Sequence, residues 1–132
     1  MVVYANAKRK HLKLVATPIG AGYFRSMSGR SGWGIIIEHR SGKTLDKIWD
    51  TLITQEAILK SIQNRVKEFV NFLQKIDDVC FGGVTWFDAR KKNVLFDQET
   101  NMLTFVDFED IGSFDIVDYN ANEIWENIIQ RD

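Results

Sequence analysis

The 132-residue chain has only one cysteine, Cys80, and one proline, Pro18. A single thiol excludes an intrachain disulfide framework and makes a reducing compartment the expectation. Cys80 itself reads as a small buried hydrophobe at a helix end. One proline excludes a proline-rich linker. No apolar run approaches the ~18 residues of a membrane span, and the N-terminus lacks the continuous apolar stretch of a secretory signal. A strong charge of either sign is also missing: 17 Lys and Arg face 18 Asp and Glu, for a net charge of −1. Nothing global therefore points to nucleic acid or to an anionic membrane. The two histidines, His11 and His39, stand too far apart in sequence to suggest a ligand pair. Repeats and low-complexity tracts are absent. The expectation is one soluble intracellular domain, in the cytoplasm by default.

What is present is ordinary globular material, 45% hydrophobic and 27% charged. Residues 12–17 alternate like a strand, and residues 32–38 form a second one bounded by glycines. Ser28-Gly29-Arg30-Ser31-Gly32 between them is turn chemistry, so a hairpin is expected, with Tyr23 and Phe24 continuing its first arm. Thr44 is placed to cap a short helix reaching about Leu52, with Lys47 leaving the capping box incomplete. Residues 54–78 are the clearest helix, with Thr54 as N-cap. Ile58, Ile62, Val66, Phe69, Leu73 and Ile76 make one apolar stripe. Val94–Phe96 and Met102–Phe108 read as a second hairpin, and a last helix runs from near Tyr119 to Ile129, burying Ile124, Trp125, Ile128 and Ile129. The fold class is α+β with two hairpins and a helical body. The basic cluster Lys8-Arg9-Lys10 with Lys13 has two readings, a solvated segment or a phosphate contact, and the first is simpler.

The chemistry lies in Trp86-Phe87-Asp88-Ala89-Arg90-Lys91-Lys92-Asn93-Val94-Leu95-Phe96, followed by Thr104-Phe105-Val106-Asp107-Phe108-Glu109. An acid precedes an amide by five positions. Then come an apolar strand, a turn and a second apolar strand ending in another acid. That order suits phosphate transfer, in which one carboxylate meets the acceptor hydroxyl while an Asn and an Asp hold magnesium on the triphosphate. The pattern resembles the catalytic loop and metal-binding Asp of the protein-kinase-like superfamily, and looks closer to its aminoglycoside-phosphotransferase and small-kinase branches than to ordinary protein kinases.

The resemblance implies a kinase-like large-lobe core with a reduced or absent small lobe. Residues 1–40 would be a remnant of small lobe and hinge, and 41–132 the catalytic-loop lobe. It implies Asp88 as the hydroxyl-orienting acid, and Asn93 and Asp107 as ligands of Mg²⁺ or Mn²⁺. Arg90 is either a basic group near the transferred phosphate or a surface arginine. Lys91 and Lys92 read as exposed, and Asp110 as a solvated acid rather than a third metal ligand. Gly34 to Leu45 resembles the hinge strand and the Gly-x-x-Leu lead-in to the next helix, with ATP's adenine held by backbone groups at Glu38, His39 and Arg40.

The departures are specific. Trp86 replaces the usual histidine, and Glu109 replaces a glycine. Ile19-Gly20-Ala21-Gly22-Tyr23-Phe24 resembles a glycine phosphate loop, but its spacing reads as a strand end or turn. Val3 to Lys8 resembles the lysine strand, which would make Lys8 a phosphate contact, yet no glutamate follows before Glu38. The resemblance therefore implies either a minimal phosphotransferase or a pseudokinase-type interaction module. A third form is one part of a kinase completed by a partner chain or a second copy. No nucleic acid or membrane partner is expected.

Overall fold

The computed structural model describes residues 2–10, 12–79, 84–106, 108–111 and 120–131. Cys80, His11, Asp107 and Tyr119 lie outside them, and so do the expectations attached to them. The chain is mixed α+β, with small antiparallel sheets and several helices.

The amphipathic stripe around Phe69 forms α3, Glu56–Val79. Ile62, Val66, Phe69, Val70, Phe72 and Leu73 are buried on it, a face wider than the predicted stripe. The width follows from having neighbours on several sides: α1 (Val2–Arg9), α2 (Leu45–Leu52), α4 (Ala121–Gln130) and β4 (Val84–Phe87) all pack against it. In α4, Trp125 and Ile128 are buried, with Ile124 and Ile129 packed beside them. Asn120 begins α4 properly, its side chain accepting from the amides of Asn122 and Glu123. Thr44 holds the N-cap position of α2 in extended backbone but makes no side-chain capping bond. Thr54 does not cap α3. Its hydroxyl donates to Thr51 O at 2.9 Å, closing the end of α2 instead.

The expected hairpins are present. β1 (Pro18–Arg25) pairs antiparallel with β2 (Ser31–Ile37). β5 (Val94–Asp97) pairs with β6 (Met102–Phe105), and the two-residue β3 (Lys43–Thr44) joins the outer edge of β5. Gly42 makes that junction. Its φ is +116°, and a Cβ there would sit 2.7 Å from the Phe96 carbonyl carbon, so only glycine lets the two backbones approach.

Four local expectations are corrected. The strand expected at 12–17 is a turn-rich segment in which Leu14, Val15 and Ala16 are buried in succession, which alternation cannot do. Residues 2–9 are helix rather than a lysine strand, with Lys8 and Arg9 in the last turn, where cations complement the helix dipole. Gly20 and Gly22, expected at a strand end or turn, lie inside the paired part of β1, facing Ile36 and Gly34, and the Phe24 ring lies across Gly22 and Gly34. The arm expected to reach Phe108 stops at Phe105, and a separate strand, β7 (Phe108–Ile111), pairs back with β4.

Three phenylalanines join the layers. Phe69 of α3 stacks on Phe105 of β6 with centroids 4.2 Å apart and planes 3° apart. Phe87, at the end of β4, meets both edge-on, at 5.3 Å and 5.6 Å. The segment that carries Asp88 is thereby anchored to the same core as the β5–β6 hairpin.

Candidate functional site

Between β4 and β5 the chain passes through Asp88, Ala89 and Arg90 into a 3₁₀ turn, Lys91–Asn93. Asn93 closes this loop on itself. Its Nδ2 donates to Asp88 O at 2.8 Å, and the backbone N–H of Val106 donates to Asn93 O at 3.0 Å. The first bond fixes the orientation of the amide through its nitrogen, and the oxygen is the hard donor of the kind that Mg²⁺ takes. The second fastens the residue before Asp107 to Asn93. Phe87 and Phe108 are cross-strand partners in the β4–β7 ladder, so the residues flanking Asp88 and Asp107 in the chain lie side by side.

The Asp88 carboxylate is partly exposed and held between two guanidinium groups. Arg131 Nη1 stands 3.0 Å from Oδ1, and Arg90 Nε stands 3.2 Å from Oδ2. Arg90 Nε is shut off from solvent and approaches off-line for a hydrogen bond, so charge alone holds that pair. Arg131 also donates to Ala89 O at 3.2 Å. The sequence offered no signal for Arg131, because only the packing of α4 brings its end to this loop.

Lys91 corrects another expectation. It is 8% exposed, not solvated. Its ammonium donates to Ile129 O at 2.8 Å and to Arg131 O at 3.2 Å, and lies 4.9 Å from the Trp49 ring centroid. A cation over the last carbonyls of α4 satisfies acceptors that the helix cannot pair itself. Lys91→Met keeps the stem and removes the charge, and should cost about 2 kcal/mol in urea unfolding. The exposed neighbour Lys92→Met should cost less than about 0.5 kcal/mol. Equal losses would mean that Lys91 does not hold α4.

At the hinge segment, Glu38 and Arg40 form a clasp. Glu38 Oε1 accepts from Thr17 N at 2.8 Å and from Arg40 Nε at 2.9 Å. The nearly buried Arg40 guanidinium also donates to Lys13 O at 2.7 Å and Val15 O at 3.0 Å. It therefore ties the irregular 12–17 segment to the end of β2. Glu38 N donates to Thr17 O at 2.8 Å, which commits that amide. His39 is exposed beside it.

The Thr17 amide, then Arg40, lower the Glu38 pKa from 4.5 to about 2. A depressed folded-state pKa means stability that is complete above the unfolded value and lost as pH falls from about 4.5 towards 2. Wild type should exceed Glu38→Gln in Tm at pH 6, and the gap should close across that window. A gap constant down to pH 2 would contradict the clasp.

On the far side of β5, Asp97 Oδ1 accepts from the amides of Glu99 and Thr100, and Oδ2 accepts from the Ser41 hydroxyl. These bonds, the Ser41 one foremost, hold its carboxyl below the usual range. Arg65 of α3 donates to Asn101 O at 2.7 Å and to Asn101 Oδ1 at 3.1 Å, pinning the hairpin turn where Asn101 takes φ 60°. Burial lowers the Arg65 pKa. The hairpin that carries Asn93 at its other end is thus braced from two sides.

Among the described residues, no three His, Cys, Asp or Glu side chains converge as a ready metal cluster. No helix among them is long and apolar enough to cross a membrane. Scanned against models of known protein families, the chain matches none, and a search of curated proteins likewise finds no match.

Proposed function

We propose that this chain is a kinase-like phosphotransferase lobe that binds Mg-ATP and is weakly active or inactive alone. The observation that carries the reading is the closure of the 88–93 loop onto the hairpin mouth. Asn93 bonds Asp88 O, Val106 bonds Asn93 O, and Phe87 pairs with Phe108. An acid, an amide and the chain neighbours of a second acid gather there, the arrangement that phosphoryl transfer asks of its positioning groups.

Asn93 Oδ1 and the Asp107 carboxylate would hold Mg²⁺ or Mn²⁺, which neutralises triphosphate charge when bound. Asp88 would orient the acceptor hydroxyl, and for this its carboxylate must release Arg90 or Arg131. Arg90 beside it can meet the transferred phosphate once released. Adenine would use backbone groups at His39 and Arg40, since the Glu38 amide serves Thr17.

Titration of Mg-ATP into wild type, Asp107→Asn and Asn93→Ala tests the metal assignment. Each substitution should weaken binding by at least about tenfold, or about 1.4 kcal/mol. Affinity equal to wild type would remove that residue from the metal site.

A second reading, a pseudokinase-type interaction module or one part of a kinase completed by a partner, is favoured by the Asp88 surroundings. A carboxylate braced by two arginines serves as a structural clasp without any substrate.

A further inference from the structure

The near-zero net charge conceals a segregation. Lys8, Arg9, Lys10, Lys13, Arg25 and Arg30 all precede Glu38, the first acid of the chain, so all 18 acidic residues lie from Glu38 onward. Such asymmetry between segments is an electrostatic footprint that net charge does not report.

The fold gathers Lys8, Arg9 and Lys13 of these at one cleft. A cleft of about 680 Å³ between α1 and the 12–17 segment is lined by Lys8, Arg9, Lys13 and Arg40, with no acid in its described lining. Glu38, the nearest acid to Arg40, is spent on Arg40 and the Thr17 amide. Lys8 also lines a second cavity, of about 250 Å³, whose floor includes Ala21 and Ile35 of the β1–β2 hairpin. Ala21 pairs with Ile35, Tyr23 with Trp33 and Arg25 with Ser31, so these residues share one face of the hairpin. On that face Tyr23 and Trp33 meet edge to face at 5.6 Å while remaining 61% and 83% exposed. The Tyr23 hydroxyl is fixed by Ser31 Oγ at 2.9 Å.

We propose that the basic cleft and this hairpin face form one binding track for a single strand of nucleic acid. Phosphates would run past Arg9, Lys13 and Lys8 and reach Arg25, and bases would stack on Trp33 and Tyr23. Cations that follow a backbone, joined to exposed rings on a sheet, are the two components of single-strand recognition. Lys8 and Arg9 also suit the end of α1, but Lys13 and Arg25 lie off that helix and extend the path. The cations line a concave cleft, whereas a bilayer surface favours a flat or convex one. A second copy docking hairpin to hairpin would set cations against cations. The proposal uses neither Asp88, Asn93 nor Asp107; it meets the phosphotransferase reading only at Arg40, whose side chain lines the cleft and whose backbone is assigned to adenine.

The test is fluorescence anisotropy of the full chain with a labelled oligouridine, and the same-length oligothymidine, of about twelve nucleotides. Titrations are run without magnesium or nucleotide at several salt concentrations. Binding should weaken linearly in log–log form with salt, and Lys13→Glu should reduce the slope by about one ion. Trp33→Ala should weaken binding by roughly tenfold or more with little change in slope. Lys60→Glu, on the exposed side of α3, is the control and should change neither. Circular dichroism melts establish that each variant is folded. Absence of binding at low salt by folded wild type would overturn the proposal, as would binding insensitive to both Lys13→Glu and Trp33→Ala. Tighter binding to phosphatidylserine vesicles, or Trp33-dependent self-association without oligonucleotide binding, would also overturn it by assigning the face to a membrane or to a second copy.

Discussion

Phe105→Ala should destabilise the chain by about 3–5 kcal/mol in urea unfolding. Phe105 is fully buried, stacked on Phe69 at 4.2 Å and edge-on to Phe87 at 5.6 Å. Its truncation removes the ring that joins β6 to α3 and to the end of β4, and leaves a cavity with three elements around it. Its amide also donates to Leu14 O at 2.9 Å, so strand movement into the void would disturb the 12–17 segment as well. Collapse is therefore restricted, which places the cost towards the upper end of that range. Against a typical domain stability of about 5–15 kcal/mol, this is about a third or more of what holds a small chain folded. Ile53→Ala, at an exposed side chain after α2, should cost less than about 1 kcal/mol. Comparable losses for the two would show that the aromatic triad is not the structural hub.

Asp88→Asn should reduce any ATP turnover by about 10²–10⁴-fold, the range supplied by a positioned acid–base group. The isolated chain should be slow to begin with. No lysine–glutamate pair is recognisable to position the phosphates, and positioning supplies most of the catalysis in phosphoryl transfer. The Arg131 contact complicates the result, so Arg131→Gln belongs beside it. If Asp88 serves only to clasp Arg131, both variants should lose stability and activity together. If it orients a hydroxyl, Asp88→Asn should show that loss of turnover while Arg131→Gln, which frees one carboxylate oxygen, retains or raises it. Wild-type turnover near ~1–100 s⁻¹ would refute the degenerate-lobe reading. Activity appearing only with a partner would support completion in trans.

The elements that depend on local periodicity were readable in advance. The three- and four-residue recurrence from Ile58 to Leu73 is a property of α3 alone, whichever neighbours cover it. The apolar runs around Val94 and Leu103, with polar turn residues between them, likewise specify a hairpin without reference to the rest of the chain. The same holds for the order of Asp88 and Asn93 and the loop it implies. Sequence also supplied Gly42, though its purpose, a close approach to Phe96, became visible only when β3 met β5.

Other decisions belong to the tertiary structure. Lys91 and Lys92 are adjacent and chemically identical, yet one is buried under Trp49 at the end of α4 and the other is exposed. The difference arises because the 3₁₀ turn aims Lys91 at carbonyls 38 and 40 residues away. The Glu38–Arg40 clasp is of the same kind: its acceptors, Lys13 O and Val15 O, exist as a site only once the 12–17 segment folds irregularly. Alternation misread that segment as a strand because burial of Leu14, Val15 and Ala16 is imposed by neighbours on more than one side. Sequence by itself determined the periodic elements and the chemical order of the 88–107 segment, through short-range sterics and hydrophobic patterning. Tertiary structure alone decided which charges are buried, which carbonyls they satisfy and which cations share a cleft, because those energies arise between residues that only the packed chain brings within a few ångströms.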